Sequence, residues 1–141
     1  MKEEFYMMRK VLVGGVFNIV HPGHNLFLKK AKELGDYLVV VIANDRTATR
    51  TKKYAVHSQE ERKRNIEKLG VADKVVIGDE RDFMKVVREE KPDVIALGHD
   101  QRMKEDELKW MLAQSGIKCS IVRIREKLKG YKTSKIIKNK K

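Results

Sequence analysis

The sequence contains very little cysteine and no long apolar run. Its single cysteine, Cys119, excludes a disulfide within one chain, and we expect it to be a small buried strand residue. No stretch approaches the ~20 apolar residues that a membrane-spanning helix needs. Residues 1–8 also lack the apolar core of a secretion signal. We therefore expect a cytoplasmic protein that does not bind a membrane.

Aromatic residues are also scarce, whereas positive charge is abundant. The formal net charge is +12 over 141 residues, and residues 123–141 contain nine lysines and arginines against one glutamate. Such a basic segment can bind nucleic acid, but it can equally attract an anionic small substrate. Because only 6% of the residues are aromatic, little surface is available to stack bases, and we do not expect nucleic acid as a partner.

The length fits one domain, and the order of the expected elements indicates its class. Apolar runs that suit strands alternate with helical patterns, which predicts an α/β fold of Rossmann-like type. Its open, parallel, five-stranded sheet should carry helices on both faces. The single domain spans residues 1–141, with an N-terminal arm (1–10) and a basic C-terminal segment (123–141) that includes the last helix. The expected strands are 11–17, 37–43, 74–77, 93–97 and 117–124, and the expected helices are 23–35, 58–69, 82–90, 105–114 and 132–138.

Several local signals set the expected boundaries. Gly35 should end the first helix as a glycine C-cap, and Ser58 with Glu61 has the spacing of a capping box. Residues 44–57 are polar and are expected to form a loop. In open α/β sheets ligands bind beyond the carboxyl ends of the strands, and this loop lies there, as does the segment 98–100.

The stretch with the strongest functional signal is residues 14–24, Gly-Gly-Val-Phe-Asn-Ile-Val-His-Pro-Gly-His, which we call the signature turn. Gly14 and Gly15 let the backbone approach a bound group closely. Pro22 suits the first position of a helix, where its missing N–H costs nothing. His21 and His24 are three residues apart, so both can face one side of the first helical turn.

The helix start should also leave free backbone N–H groups near His24, at the positive end of the helix dipole. Glycines, two imidazoles and bare amides together predict a phosphate cradle. A helix cap with two incidental histidines would show the same residues. Two histidines without nearby cysteine or acidic partners fall short of a zinc ligand set.

This pattern, Gly-x-Phe-Asn-x-x-His-x-Gly-His, resembles the signature of the nucleotidyltransferase superfamily. That superfamily includes cytidylyltransferases, pantetheine-phosphate adenylyltransferase and archaeal FAD synthase. The resemblance implies catalytic roles for His21, His24, Arg125 and Ser134, and no metal held by the protein itself. It implies nucleotide binding by Gly15, Val16, Phe17, His21, Pro22, Gly23, His24, Asp100, Arg125, Thr133 and Ser134.

Three further segments extend the resemblance over most of residues 10–138. Lys52 and Lys53, followed by Arg62, resemble the phosphate-binding lysine and helix arginine of the glycerol-3-phosphate cytidylyltransferase type, which implies that they bind the acceptor phosphate. Residues 71–75 resemble the Val-Asp-x-Val segment of that group. Residues 131–136 resemble its closing Ile-Ser-Thr-Thr-x-Ile motif.

The runs 96–101, 77–80 and 133–138 are most similar to archaeal FAD synthase. That resemblance implies transfer of AMP from ATP to the phosphate of FMN, giving FAD and pyrophosphate. It also implies Mg²⁺ or another divalent cation brought with ATP, and a homodimer. The enzymatic alternative is a cytidylyltransferase for glycerol 3-phosphate or a related alditol phosphate, and the non-enzymatic alternative is a basic nucleic-acid-binding protein.

Two residues depart from the family pattern. The usual threonine or serine before Phe17 is Val16, which removes a hydroxyl expected near the phosphates. The usual aspartate after Phe17 is Asn18, which keeps the shape but removes the charge. Since a phosphate acceptor is already ionised near neutral pH, the implied reaction needs no general base. The two histidines would act by stabilising charge on the phosphates.

Overall fold

The computed structural model describes residues 8–18, 20–51, 57–79, 82, 84–98 and 105–125, without the side chains of residues 50 and 51. Most of the expected N-terminal arm and the chain beyond residue 125, including the expected last helix, lie outside these ranges. Lys52, Lys53, Asp100, Thr133 and Ser134 also lie outside them.

The described residues form a parallel sheet in the strand order β3-β2-β1-β4-β5. This arrangement confirms the predicted α/β class. Within the described part of the chain, no helix is both long and apolar enough to cross a membrane. The strands are β1 (Lys10–Gly15), β2 (Tyr37–Ile42), β3 (Lys74–Ile77), β4 (Val94–Gly98) and β5 (Ser120–Ile124), and the helices are α1 (Pro22–Lys32), α2 (Asp45–Thr51), α3 (Gln59–Lys68), α4 (Lys85–Glu90) and α5 (Glu105–Gln114).

The sheet separates two hydrophobic clusters, so helices cover both faces as predicted. Successive side chains of a strand point to opposite faces, and β1 shows this: Val11 and Val13 join one cluster while Leu12 joins the other. Helices α1 and α3 pack on the first cluster, and α4 and α5 pack on the second. Cys119 packs against the second cluster just before β5, and its burial raises the pKa of the thiol to about 11.

The strand order fixes where a ligand can bind. The chain passes from β1 outward to β2 and β3, then returns to the other side of β1 for β4 and β5. The order therefore reverses between β1 and β4, and in open parallel sheets a crevice forms at the carboxyl ends of the strands at such a point. The signature turn follows the carboxyl end of β1, so it lies at this crevice.

One expected loop is a helix in part. The prediction of a polar loop over residues 44–57 was wrong for residues 45–51, which form α2. The Asn44 side-chain oxygen accepts a hydrogen bond from the Thr47 N–H (2.9 Å), and the Asn44 carbonyl accepts one from the Ala48 N–H (2.9 Å). Asn44 thus begins the helix as an N-cap, a role that asparagine favours.

The role assigned to Gly35 was also wrong. Helix α1 ends three residues earlier, with Glu33 as a right-handed C-cap, and Gly35 has no positive φ. Glycine is required there by packing, because a Cβ atom would lie 2.5 Å from the Arg9 carbonyl oxygen. In contrast, Gly70 follows α3 with φ of 72°, a left-handed conformation in which glycine carries no strain. Two other elements start three residues later than expected, α4 at Lys85 and β5 at Ser120.

Asp73 connects the loop before β3 to β2 and α1. Its carboxylate accepts a hydrogen bond from the Leu38 N–H (2.8 Å) and forms an ion pair with Lys32. Partial burial acts to raise its pKa, but the hydrogen bonds from Lys32 and Leu38 outweigh it and hold the pKa below its ordinary value. Because the folded pKa is the lower one, the carboxylate stabilises the fold above its unfolded pKa, and this contribution is lost as the pH falls through the folded value.

We therefore expect Asp73→Asn to lower the free energy of unfolding by about 1 kcal/mol at neutral pH. The difference from the unchanged protein should shrink as the pH falls below the ordinary aspartate pKa and through the lowered pKa of the folded state, because Asp73 then becomes protonated in both the folded and the unfolded protein. Urea denaturation at neutral and acid pH measures both values. Glu33→Gln serves as the control. It alters an exposed carboxylate directly after α1 and should change stability little. An equal loss at both pH values would contradict the role of the charge.

Candidate active site

The signature turn has the strand–turn–helix form that the sequence predicts. Strand β1 ends at Gly15, and α1 begins at Pro22 with His21 as its N-cap. Gly15 is required by close packing, since a Cβ atom there would lie 2.8 Å from the ring of Phe17. Phe17 itself is buried and has a φ of 50°, a conformation that a bulky residue rarely adopts. The turn is therefore closely packed around one aromatic ring.

His21 takes part in the helix cap through its side chain. Its Nδ1 accepts a hydrogen bond from the Gly23 N–H at 3.0 Å. A nitrogen that accepts in this way carries no proton, so the neutral ring holds its proton on Nε2. His21 is thus set as a hydrogen-bond donor at Nε2, while its other nitrogen supports the helix.

The expectation of bare amides near His24 was wrong for the amides that the structure describes there. The Gly23 N–H is donated to the His21 ring, and the His24 N–H is donated to the His21 carbonyl at 2.9 Å. These groups are occupied because the histidine cap and the first helical turn use them. Recognition of an anion at this point therefore depends on the imidazoles and on the helix dipole.

The two imidazoles lie side by side. Their ring centroids are 3.9 Å apart with an interplanar angle of 25°, so the rings are stacked. The ring of Phe17 contacts His24 edge-on, with centroids 5.3 Å apart. Phe17 and His21 thereby hold His24 from two sides, and both histidines lie together as their spacing predicts. Two adjacent imidazoles give a compact pair of donors for a phosphate.

Arg62 lies behind this turn and not at its surface. Its side chain has no exposed area, and it forms an ion pair with Asp45 at 3.0 Å. Its guanidinium also donates to three carbonyl oxygens, those of His57 (2.8 Å), Val16 (2.9 Å) and Ala43 (2.7 Å). These contacts join the loop after β1, the loop after β2 and the start of α3. The structure thus gives Arg62 a bracing function, while the contact with the acceptor phosphate stays a prediction.

Asn18, one of the two departures from the family pattern, is part of the same brace. Only 3% of its surface is exposed, and its Oδ1 accepts a hydrogen bond from the His57 N–H at 2.7 Å. His57 is therefore held by Asn18 through its N–H and by Arg62 through its carbonyl. Val16, the other departure, is half-buried and contributes its carbonyl to Arg62.

The brace sets the expected result of Asn18→Asp. A carboxylate oxygen would accept the same His57 N–H, and the Arg62 guanidinium that binds the same residue supplies a compensating charge. Activity should stay within about tenfold of the original, and the metal optimum should shift, since a negative charge is added behind the two histidines that are expected to bind phosphates. Steady-state rates over a Mg²⁺ and Mn²⁺ series measure this.

Asn18→Leu removes the acceptor and leaves the His57 N–H buried without one, so it should lower the free energy of unfolding by about 1–3 kcal/mol. A stable, active leucine variant would contradict the brace.

The other side of the crevice contains an arginine that the sequence reasoning missed. Arg123, in β5, donates to the Gly98 carbonyl at 2.7 Å and to the Glu105 carboxylate at 3.0 Å. It fixes the carboxyl end of β4, next to the segment expected to contact the nucleotide. A charged residue inside an apolar strand was the available signal, because such a residue needs partners. Arg125, the expected catalytic arginine, is exposed directly after β5 at the same edge.

A metal site is not built from the described side chains. Within the described ranges, no group of three or more His, Cys, Asp or Glu residues is placed to hold an ion. The side chains at the turn are imidazoles, whereas Mg²⁺ prefers oxygen ligands. The donor set therefore does not fit a protein-held Mg²⁺, and we derive no step through one.

A β-strand, a close-packed glycine turn and a helix capped by one of two stacked histidines, at the carboxyl edge of a parallel sheet, define a nucleotidyltransferase-type domain. The chain belongs to the cytidylyltransferase-like family, whose model matches residues 12–139. This confirms the resemblance to the nucleotidyltransferase superfamily.

Individual proteins agree with this assignment. The chain is 46% identical over 120 residues to the FAD synthase of Ferroglobus placidus, covering 85% of this chain and 78% of that protein. It is 46% identical over 113 residues to the FAD synthase of Archaeoglobus fulgidus, covering 80% and 82%. A crystal structure from Thermoplasma volcanium, described as a lipopolysaccharide core biosynthesis protein, is 44% identical with a TM-score of 0.81 and covers 84% of this chain and 98% of that chain.

Proposed function

We propose that this protein transfers the AMP group of ATP to the phosphate of FMN, giving FAD and pyrophosphate. The observation that carries the proposal is the 46% identity to two FAD synthases over at least four-fifths of the chain. The signature turn supports it, because its histidines lie where the strand order places a ligand crevice. A cytidylyltransferase reaction on glycerol 3-phosphate is the second candidate, favoured by the description of the matching family.

The proposed chemistry is an in-line displacement at the α-phosphorus of ATP. A phosphate oxygen of FMN forms the new P–O bond, the bond from the α-phosphorus to the bridging oxygen breaks, and pyrophosphate leaves with that electron pair. The FMN phosphate is ionised at neutral pH, because its second pKa is about 6, so no side chain has to remove a proton. Catalysis then consists of positioning and of stabilising charge on the phosphates.

The histidines of the signature turn supply that stabilisation. His21 presents its Nε2–H, fixed by the hydrogen bond that Nδ1 accepts. His24, stacked against it, places a second imidazole at the same phosphates. The positive end of the α1 dipole adds to the attraction. Arg125, Thr133, Ser134, Asp100 and the two lysines Lys52 and Lys53 complete the proposed contacts with the nucleotide and the acceptor phosphate.

Mg²⁺ or another divalent cation is proposed to enter with ATP, as part of the nucleotide substrate, with phosphates and waters as most of its ligands. We also propose a homodimer from the family resemblance, and sedimentation or size-exclusion measurements test it. Because ATP is a substrate, we place the reaction in the cytoplasm.

A nucleotide and acceptor panel tests the proposal. ATP with FMN should give FAD, detected by its chromatographic retention and fluorescence, together with one pyrophosphate per FAD. CTP with glycerol 3-phosphate is the matched second reaction. Turnover of only the second pair would assign the protein to glycerol-phosphate cytidylyl transfer. No turnover of either pair, with binding to RNA or DNA that weakens steeply with salt, would instead favour the nucleic-acid alternative.

A further inference from the structure

A cleft of about 330 Å³ lies over the carboxyl ends of β2 and β3, at the same edge of the sheet as the signature turn. Its volume is within the ~300–1,000 Å³ range of small-molecule sites. One wall is the start of α3, with Gln59, and the opposite wall is α4, with Lys85 and Glu89. The cleft is therefore bounded by helices from both faces of the sheet.

The base of the cleft is held in place by hydrogen bonds. The Asn44 side-chain amide donates to the Gly78 carbonyl at 3.2 Å, which connects the end of β2 to the end of β3. Gln59 and Asp45 exchange two hydrogen bonds, from the Asp45 N–H to the Gln59 side chain (2.9 Å) and from the Gln59 N–H to the Asp45 carboxylate (2.7 Å). These contacts fix the wall and the base through the protein's own groups, and a preformed site binds with a smaller entropy cost.

The charges of the cleft do not suit a phosphate. Among the described residues that line the cleft, Asp79 and Glu89 are acidic and Lys85 is basic. The Lys85 Nζ lies 3.6 Å from the Asp79 Oδ2, so the described lining is net negative within a chain of net charge +12. Apolar contact is available from Ile77 and Val86. Such a lining suits an uncharged, partly apolar group that carries both hydrogen-bond donors and acceptors.

The position of the cleft relates it to the signature turn. Gly15 lies opposite Ile42 on β2, and Ile42 lies opposite Ile77 on β3. Adjacent strands are ~4.8 Å apart, so the cleft is about 10 Å from the turn. The ribityl chain of FMN separates its phosphate from its ring by a comparable length. A flavin with its phosphate at the turn can thus place its ring over β3, on the side of β1 opposite to β4 and β5.

We propose that this cleft holds the isoalloxazine ring of the acceptor, with Lys85 as a donor to the carbonyl edge of the ring. The inference rests on the proposed FMN adenylyl transfer and adds to it the location of the ring. The ring has an N–H flanked by two carbonyl oxygens, so an ammonium and a carboxylate in one cleft match its edge. The apolar side chains contact its face.

The test compares two substitutions on α4 that remove the same charge. Lys85→Met removes the ammonium that lines the cleft. Arg88→Met removes a positive charge three residues further along α4. The Arg88 side chain pairs with Asp82 and is not among the residues that line the cleft. Two quantities are measured for each full-length variant, the KM values for FMN and ATP and the Kd of riboflavin from quenching of its fluorescence. Riboflavin has the ring but no phosphate, so it reports on the cleft alone.

Lys85→Met should raise the FMN KM and the riboflavin Kd by about tenfold each, the range expected for one lost charge-assisted hydrogen bond, with the ATP KM within about twofold. Arg88→Met should leave all three values within about twofold. Equal behaviour of the two variants, or an unchanged riboflavin Kd in Lys85→Met, would overturn the assignment of the cleft. If the unchanged protein forms FAD, such a result leaves the proposed function intact. Failure of the unchanged protein to form FAD overturns that function, while the riboflavin Kd still tests the cleft.

Discussion

His21→Ala should lower kcat by at least about 100-fold, as removal of a single charge-stabilising donor does in other enzymes. The side chain has two separate tasks in the structure. Its Nδ1 accepts the Gly23 N–H and caps α1, while its Nε2 is the donor directed to the phosphates in the proposed reaction. An alanine removes both, so alanine alone does not show which of them matters for turnover.

Two further substitutions separate the tasks. The side-chain amide of asparagine overlaps the Nδ1 position, so His21→Asn should keep the cap and hold the free energy of unfolding within about 0.5 kcal/mol. It should lose as much kcat as alanine, because nothing replaces Nε2–H. Glutamine reaches the Nε2 position, so His21→Gln should recover about tenfold of kcat while losing about 1 kcal/mol of stability.

Steady-state kinetics measure kcat and urea denaturation measures the free energy of unfolding for each of the three variants. His57→Asn is a suitable control, because the His57 side chain is exposed. The contact described for its ring is with Glu61, whose side chain is exposed as well. Its turnover should be close to that of the unchanged protein. If His21→Asn retained full turnover, the Nε2 donor would have no part in the mechanism.

Arg62→Met should lower the free energy of unfolding by about 3 kcal/mol or more, because three carbonyl oxygens lose their donor at about 1 kcal/mol or more each. Its ion-pair partner Asp45 is half exposed, so water can solvate the remaining carboxylate and the ion pair contributes less. Arg62→Lys should recover only part of this loss, because a single ammonium cannot reach partners on three segments as the planar guanidinium does. Arg64→Met removes an exposed arginine from the same helix and should change stability by less than about 0.5 kcal/mol.

Kinetics distinguish the brace from a phosphate contact. Arg62 positions Val16 and Ala43, so at a temperature where Arg62→Lys remains folded, kcat should fall about tenfold and the KM values for both substrates should rise together. A contact with the acceptor phosphate predicts a different result. In that case Arg62→Lys would raise the acceptor KM alone and would leave stability close to that of the unchanged protein.

The sequence by itself determined the sheet, the signature turn and the family. The run 37–42 is rich in β-branched residues, and such a run suits a strand buried on both faces, as β2 is. Ser58 caps α3 through a hydrogen bond from the Glu61 N–H, as their spacing predicts. These features depend on residues within a few positions of one another, so local periodicity and cap chemistry reveal them.

Only the tertiary structure decided the features that depend on distant partners. Gly35 is needed because of the Arg9 carbonyl, which approaches it from the start of β1. Arg62 resembles a surface helix residue in sequence, yet its partners include Val16, 46 positions away, and Ala43, 19 positions away. A charge can be buried when carbonyl oxygens and a carboxylate converge on it. That convergence arises from the packing of three loops at one edge of the sheet, and no pattern within a single segment of sequence encodes it.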